Sequence, residues 1–247
     1  MLNERVDGLL LSGVCVRNEI EEFISLLKQS PPVKGIFNPW RDVDRENDRD
    51  SRAPEIRTDQ LRHYLLERLR KARYLLIAEA VGYQGGHFSG IPMTSERILL
   101  GYKNKEGILP QHVLAGLEPQ RTSKPEIIPK GFSEPTATIV WGTLLRLGLE
   151  PTDFVLWNAF PWHPYDPQRG LLSNRRPRVE ELKYGLPVLE KFLQIFHGGR
   201  IVALGKISAG IFTDMGIACH EVRHPANGGA GAFRTKIALL LSTGLER

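Results

Sequence analysis

Four short apolar runs along the chain alternate with segments in which apolar residues recur at helical spacing. Each run is short enough to be a buried strand. Strands that alternate with helices are typical of a parallel α/β sheet. Because the pattern shows no internal repeat and no second domain boundary, we expect a single domain over residues 1–247. The predicted strands are Tyr74 to Ala78, Phe154 to Asn158, Arg200 to Gly205 and Ile217 to Val222.

The segments between the runs place their apolar residues three and four positions apart, as amphipathic helices do. The predicted helices cover residues 17–27, 56–71, 133–147, 175–193 and 233–241. Ser133 is a suitable N-cap for the helix that it precedes. Pro187 should kink its helix, and a further helix should begin near Lys206.

Two other segments follow neither pattern. Residues 41–52 alternate acidic and basic side chains around one apolar residue, Val43, which predicts a solvated loop or a loop that orders on binding. Residues 102–132 contain four prolines, and so long an irregular connection is usually functional or disordered. We assign no chemistry to residues 41–52.

The glycine-rich stretch after the first predicted strand is a candidate for chemistry. Gly82, Gly85, Gly86 and Gly90 permit close approach of the backbone, and open α/β sheets bind ligands at the carboxyl ends of their strands. An ordinary glycine-containing connection explains the glycines equally well. The density of polar groups favours function, and these groups are Glu79, Tyr83, Gln84, His87, Ser89 and Glu96.

Polar residues also follow the other predicted strands. Asn158 closes the second, Lys206 follows the third, and His224 begins a glycine-rich segment after the fourth. An asparagine at a strand end is usually a cap or turn residue, and a lone histidine is more often structural than catalytic. We nevertheless expect these side chains at the same edge of the sheet as the glycine-rich stretch.

Composition narrows the class of partner. The chain has 33 lysines and arginines against 28 aspartates and glutamates, a net charge of +5 and a pI near 9.3, which favour a polyanionic partner. No apolar run reaches the ~20 residues that span a bilayer. The N-terminus lacks the basic start and apolar centre of a signal peptide. We therefore expect no membrane association and a cytoplasmic location.

The two cysteines, Cys15 and Cys219, give little basis for redox or metal chemistry. They could pair, but nothing else indicates an oxidising compartment. Two thiols cannot supply the four ligands of a usual iron–sulfur cluster, and the spacings typical of zinc ligands are absent. The sequence predicts no metal and no organic cofactor.

Three motifs resemble those of the uracil-DNA glycosylase superfamily, in the family's order. Ala78 to Gly82 reads Ala-Glu-Ala-Val-Gly and resembles the Gly-Glu-Ala-Pro-Gly of the iron–sulfur branch, and Ser89 to Ser95 resembles the later part of that motif. Asn158-Ala-Phe-Pro161 fits an Asn-x-x-Pro pattern. His224-Pro225 fits the motif that ends a later strand in the family.

The chain also departs from the family's pattern. Val81 replaces the usual proline, Met93 replaces the phenylalanine that stacks on the extruded base, and Ala226 replaces a serine. The bulky wedge residue is missing. The cysteines of one branch are absent, and Ala80 stands where another branch has the aspartate that activates water. These differences place the chain in a divergent branch without an iron–sulfur cluster.

The resemblance implies a three-layer α/β/α sandwich with a central, mostly parallel four-stranded sheet. It implies a hydrolase of base-excision repair that flips uracil out of DNA and hydrolyses the N-glycosidic bond, leaving an abasic site. The partner would be uracil-containing DNA, single- or double-stranded, and free uracil the product. The protein would be a monomer without a cofactor.

The resemblance also implies individual roles. His224 would donate to O2 of the leaving uracil, Asn158 would pair with its imide edge, and Glu79 would position water. Glu96 is the alternative carboxylate, although an acidic residue in the first turn of a helix explains it equally well, and Glu79 is equally explained as an acceptor for loop amides. Further uracil contacts are expected from Gly82, Tyr83, Gln84 and Met93. DNA contacts are expected from Ser89, Gly90, Lys206, Asn227 and Gly228.

Two alternative functions remain open. The nearest is a glycosylase of the same fold for another base, such as hypoxanthine, xanthine, or thymine or uracil opposite guanine. The second is a non-catalytic module that binds nucleic acid or nucleotides. Base excision, as opposed to DNA affinity alone, separates the enzymes from the binding module.

Overall fold

The computed structural model describes residues 17–242. Cys15 lies outside the described residues, and the bounds of the single domain over 1–247 stay a prediction. The elements in chain order are α1 (17–27), β1 (Ile36–Phe37), α2 (Ala53–Arg68), β2 (Tyr74–Ala80), α3 (Gly86–Ser89), α4 (Glu96–Leu99), α5 (Pro110–Val113), α6 (Pro135–Arg146), β3 (Phe154–Phe160), β4 (His163–Pro164), α7 (Val179–Ile195), β5 (Arg200–Leu204), α8 (Lys206–Asp214), β6 (His220–Val222) and α9 (Ala230–Ser242).

The four predicted strands form one parallel sheet in the order β3-β2-β5-β6. In the centre, Tyr74 of β2 lies opposite Phe154 of β3 on one side and opposite Arg200 of β5 on the other. Because the strands run in the same direction, their carboxyl ends share one edge of the sheet. The predicted parallel α/β sheet is confirmed.

Helices cover both faces of this sheet. The Trp157 ring contacts Phe23 of α1 and Phe192 of α7, whereas the Phe154 ring contacts Trp141 of α6. Residues three apart on a strand project from opposite faces. Helices α1 and α7 therefore lie on one face and α6 on the other, which gives the predicted three layers.

Two predicted details of these elements were wrong. Strand β3 continues two residues beyond Asn158, so Asn158 lies inside the strand rather than at its end. Helix α6 begins at Pro135 with Glu134 as its N-cap, one residue later than the cap predicted at Ser133. Proline fits the first helical turn because it has no N–H to leave unpaired there.

A second, two-stranded sheet was not predicted. Strands β1 and β4 pair antiparallel, with Ile36 opposite Pro164 and Phe37 opposite His163. Each has only two residues, too few to show the alternation by which a strand is recognised. This small sheet carries His163 into the protein behind the glycine-rich stretch.

The charged segment 41–52 is not the solvated loop that its sequence predicts. Asp44 and Asp48 are buried within it. Asp48 pairs with Arg57 of α2 at 2.8 Å between Oδ1 and Nη1, and the Arg57 Nε donates to the carbonyl of Pro39 at 2.6 Å. Burial raises the pKa of Asp48 and lowers the pKa of Arg57. Each buried charge therefore depends on the other for compensation.

We expect Asp48→Ala to lower the free energy of unfolding by about 3 kcal/mol, because it leaves a buried guanidinium without its anion. Urea denaturation followed by circular dichroism measures the loss. Asp50→Ala is the control, because it removes an exposed carboxylate that pairs with Arg52 and should leave the midpoint almost unchanged. An Asp48→Ala protein as stable as the wild type would contradict this account of residues 41–52.

Candidate active site

The carboxyl edge of the sheet opens onto two adjoining cavities. The glutamate cavity, about 700 Å³, is lined by Glu79 and Glu134 among others. The basic cavity, about 740 Å³, is lined by Arg176, Lys206 and Arg223 among others. Four residues line both cavities, and they are Glu79, His224, Ala226 and Asn227. This edge is where an open parallel sheet is expected to bind its ligand.

His224 stands between the two cavities as a neutral hydrogen-bond donor. Its Nδ1 accepts the backbone N–H of Ala226 at 3.2 Å, and burial lowers the pKa of the imidazole. A neutral ring whose Nδ1 accepts must carry its proton on Nε2. The turn also fixes the backbone here, because a Cβ on Gly229 would overlap the carbonyl oxygen of His224.

Glu79 is the penultimate residue of β2 and lines both cavities. It is half-buried. Burial raises the pKa of its carboxyl, and the nearby positive charge of Arg176 opposes that rise. The side chain is therefore a carboxylate whose charge is only partly hydrated and partly compensated.

Glu134 is a second carboxyl group in the glutamate cavity, and it was not among the residues predicted from the sequence. Burial raises its pKa to about 7, and its Oε2 is buried without a hydrogen-bond partner among the described residues. The carboxyl rests against the glycine-rich stretch, where a Cβ on Gly85 would overlap Oε2. Serine is the more common N-cap, so attention fell on Ser133 rather than on its neighbour.

Asn158 lies close to this cavity without lining it. It is 1% exposed, and its Oδ1 and Nδ2 have no hydrogen-bond partner within the described part of the chain. Asn158 is in register with Ala78, two residues before Ala80, which lines the glutamate cavity. Asn158 also lies four residues after Phe154, whose ring contacts Trp141 of α6, so its amide projects from the face of the sheet that α6 covers. The start of α6, at Glu134 and Pro135, lines this cavity.

The first residues of the glycine-rich stretch divide between the cavity and its support. Gly82 and Gln84 line the glutamate cavity. The N–H of Tyr83 donates to Oδ1 of Asn174 at 3.0 Å, and its ring packs edge-on against Phe132. Tyr83 lines neither cavity. Unlike Gln84, it therefore has no surface for a base there.

The later residues of the stretch are buried. The hydroxyl of Ser89 donates to the carbonyl of Thr94 at 2.6 Å, and the carbonyl of Gly90 accepts the indole N–H of Trp40 at 3.0 Å. Met93 is 4% exposed and adopts a φ of +48°. None of these residues lines either cavity, so the structure gives Ser89 and Gly90 no surface for a phosphate and Met93 no surface for a base.

Glu96 also lies away from both cavities. It is fully buried at the first position of α4. Its Oε1 accepts the N–H groups of Thr122 and Ser123 at 2.8 and 2.9 Å, and its Oε2 accepts the hydroxyl of Ser123. Its place in the first turn of α4 matches the alternative interpretation of Glu96 as an acidic residue at a helix start, and its hydrogen bonds fix the segment around Thr122.

The residues predicted to contact DNA after β5 and β6 do reach the cavities. Lys206 is exposed at the first position of α8 and lines the basic cavity. Asn227 is exposed with a φ of +51° and lines both cavities. Gly228 lines the glutamate cavity. Together they form the outer rim of the candidate site.

A third cavity, about 480 Å³, lies at the opposite edge of the sheet. Arg70, Lys71, Arg73 and Arg200 line it, but no aspartate or glutamate does. Arg73 is already paired with Asp153 at 2.9 Å. The lining of this cavity lacks the carboxyl groups that line the cavities at the carboxyl edge.

Across residues 17–242, no three histidine, cysteine, aspartate or glutamate side chains lie close enough to hold a metal ion. Within the same range, no helix is both long and apolar enough to cross a bilayer.

The sequence profile of the Uracil DNA glycosylase superfamily matches residues 70–242, which include the four strands of the parallel sheet and the residues that line both cavities. The chain belongs to this superfamily. Members of the superfamily are DNA glycosylases, so the class of enzyme and DNA as its partner follow from membership.

A solved structure shows the same fold. The crystal structure of wild-type Pedobacter heparinus SMUG2 aligns with a TM-score of 0.58 and 12% identity, over 93% of this chain and 99% of that one. No curated protein matches the chain significantly. The fold expected from the resemblance is therefore confirmed, while at this identity the neighbour says nothing about the base that is removed.

We expect His224 to be a neutral Nε2–H tautomer at neutral pH, with a pKa below that of an ordinary histidine, because of its burial and its bond from Ala226. Two-bond ¹⁵N–¹H NMR correlations of the imidazole measure both properties. His224→Gln identifies the signal by its disappearance. An Nδ1–H tautomer would contradict the hydrogen bond from Ala226. A pKa above about 6.5 would contradict the effect of burial on the imidazole.

Proposed function

We propose that this superfamily member removes uracil from DNA by hydrolysing the N-glycosidic bond. The observation that carries the proposal is that Glu79, near the end of β2, and His224, in the loop after β6, both line the two adjoining cavities. Breaking this bond produces a positive sugar and a negative base. A carboxylate and a neutral hydrogen-bond donor are the groups that stabilise these two charges.

The two cavities suit different parts of an extruded nucleotide. A glycosylase must take its target base out of the helix and into a pocket. The glutamate cavity has polar groups close to the sheet and is the proposed base site. The basic cavity has Arg176, Lys206 and Arg223 along it, and these cations suit the neighbouring phosphates.

Asn158 is the proposed reader of uracil. Its buried amide has both a donor and an acceptor without protein partners. The amide can donate to O4 of uracil and accept from N3–H. In the same orientation cytosine would place an amino group against the donor and a lone pair against the acceptor. Unpaired buried polar groups of this kind cost orders of magnitude in rate.

His224 is the proposed donor to the departing base. Its Nε2–H is fixed by the bond that Nδ1 accepts from Ala226. Negative charge grows on O2 of uracil as the bond breaks. A donor that is oriented in advance stabilises this charge without reorganisation, and one such donor contributes about 10²–10³-fold in rate.

Glu79 is the proposed partner of the sugar and of the attacking water. Its carboxyl group is half-buried, and burial raises its pKa while the nearby charge of Arg176 opposes that rise. An ionised carboxylate can accept a proton from water and stabilise the oxocarbenium-like sugar. Glu96 is not carried into the proposal, because three donors already occupy its buried carboxylate.

We expect His224→Ala, Asn158→Ala and Glu79→Gln each to slow uracil excision at least about tenfold under single-turnover conditions, because each removes a contact that strengthens in the transition state. The assay measures abasic sites and free uracil from single- and double-stranded DNA. Glu150→Gln is the matched control, since Glu150 is an exposed glutamate that lines neither cavity, and its rate should equal that of the wild type.

Other outcomes would change the proposal. Wild-type rates in all three variants would rule out these roles. A large loss in Glu96→Gln alone, with its fold intact, would move the water-positioning role to Glu96. Binding of DNA by the wild type without release of any base, including hypoxanthine and xanthine, would support the non-catalytic module.

We also expect Lys206→Gln to weaken DNA binding and to reduce the slope of log affinity against log salt by about one, because one fewer counterion is released. Fluorescence anisotropy over a salt series measures the slope. Lys191→Gln is the control, because Lys191 lies on α7 and is paired with Glu22 of α1. A slope unchanged by Lys206→Gln would remove Lys206 from the phosphate contacts.

The monomeric state and the cytoplasmic location remain part of the proposal.

A further inference from the structure

The side chain of Glu134 lies in the glutamate cavity although helix capping does not require it there. Glu134 is the N-cap of α6, yet its side chain does not cap the helix. The carboxyl instead lines the glutamate cavity together with Glu79 and His224. Its Oε2 is buried and has no hydrogen-bond partner among residues 17–242. This oxygen rests against Gly85, so packing rather than hydrogen bonding holds the carboxyl group at the wall of the cavity.

The surroundings of Glu134 favour its neutral form. Glu79 lines the same cavity with a second carboxyl group, and His224 is neutral there. The one cation that lines this cavity within the described chain is Arg175, and both of its Nη atoms are bonded to Glu181, at 2.6 and 2.8 Å. Burial then raises the pKa of Glu134 to about 7. In the neutral form, the carboxyl group carries a proton that it can donate.

Resting on the function proposed above, we propose that Glu134 is a second catalytic carboxyl group, which donates its proton to the departing base. The glutamate cavity then contains two carboxyl groups in opposite charge states, Glu79 as carboxylate and Glu134 as acid. Paired carboxyl groups that their environments hold in different states are the recurrent arrangement for hydrolysis of glycosidic bonds.

The reaction balances with these two groups and one water molecule. The bond between C1′ and N1 breaks, and its electron pair leaves with the base. The base takes the proton of Glu134 on an oxygen, and water adds its hydroxyl to C1′ while its other proton passes to Glu79. Solvent then returns a proton to Glu134 and removes one from Glu79. The products are an abasic site and the neutral base.

The test is the pH profile of single-turnover base excision from about pH 5 to about pH 9 for wild type, Glu134→Gln and a control. The acid form of Glu134 exists below its pKa, so the wild-type rate should fall as pH rises through about 7. Glutamine keeps the size of the side chain but cannot transfer a proton. Glu134→Gln should therefore be about 100-fold slower below that pH and should lose the fall.

The controls separate catalysis from folding. Glu150→Gln changes an exposed carboxyl group beyond the other end of α6 and should keep the wild-type rate and profile. Melting temperatures show whether each variant folds. If Glu134→Gln does not fold, Glu134→Asp retains a carboxylic acid and should keep an alkaline fall in rate, and a flat profile in that variant would overturn the proposal.

The outcomes also distinguish this inference from the function on which it rests. Release of base by the wild type, with an equal rate and profile in Glu134→Gln, would overturn the role of Glu134 and leave the glycosylase intact. Uniform slowing by Glu134→Gln with an unchanged profile would show a structural role and also overturn the inference. No release of any base by the wild type would contradict the proposed function itself.

Discussion

The candidate site depends on a chain of buried polar contacts behind the glycine-rich stretch. His87 lies between Asp44 and His163, with Nε2 3.1 Å from a carboxylate oxygen and Nδ1 2.9 Å from the second imidazole. Burial holds the pKa of His87 at about 4 and that of His163 at about 3. Nε2 of His163 lies 2.8 Å from the carbonyl oxygen of Ser173. The next residue, Asn174, accepts the N–H of Tyr83. The cavity wall is therefore fixed from inside the protein.

On the outer side of that wall, burial rather than pairing determines the charge of each group. Burial keeps His224 neutral and raises the pKa of Glu79 and of Glu134. The cations gather in the adjoining basic cavity, where a phosphate backbone would supply the missing negative charge. This separation of neutral donors from cations suits a reaction in which charge develops on a base that has left its duplex.

Periodicity in the sequence was sufficient to predict the four strands of the parallel sheet and the large helices, because their apolar spacing reflects local geometry. The motifs selected Glu79 and His224, which line both cavities, and Asn158, which is buried and lines neither. Burial could not be predicted in the same way: alternating charges in residues 41–52 are compatible with a solvated loop and with the ion pair that the fold creates. Glu96 and Glu134 are both acidic residues at helix starts, and only the tertiary packing shows which one faces a cavity.

The most direct test is a crystal structure of the protein with DNA that contains a non-hydrolysable deoxyuridine analogue. The account predicts an extruded uracil in the glutamate cavity, with O2 about 3 Å from Nε2 of His224 and its imide edge at the amide of Asn158. The phosphates beside it should follow the basic cavity. A uracil that stays stacked in the DNA, or DNA bound at the opposite edge of the sheet, would contradict the assignment of this site.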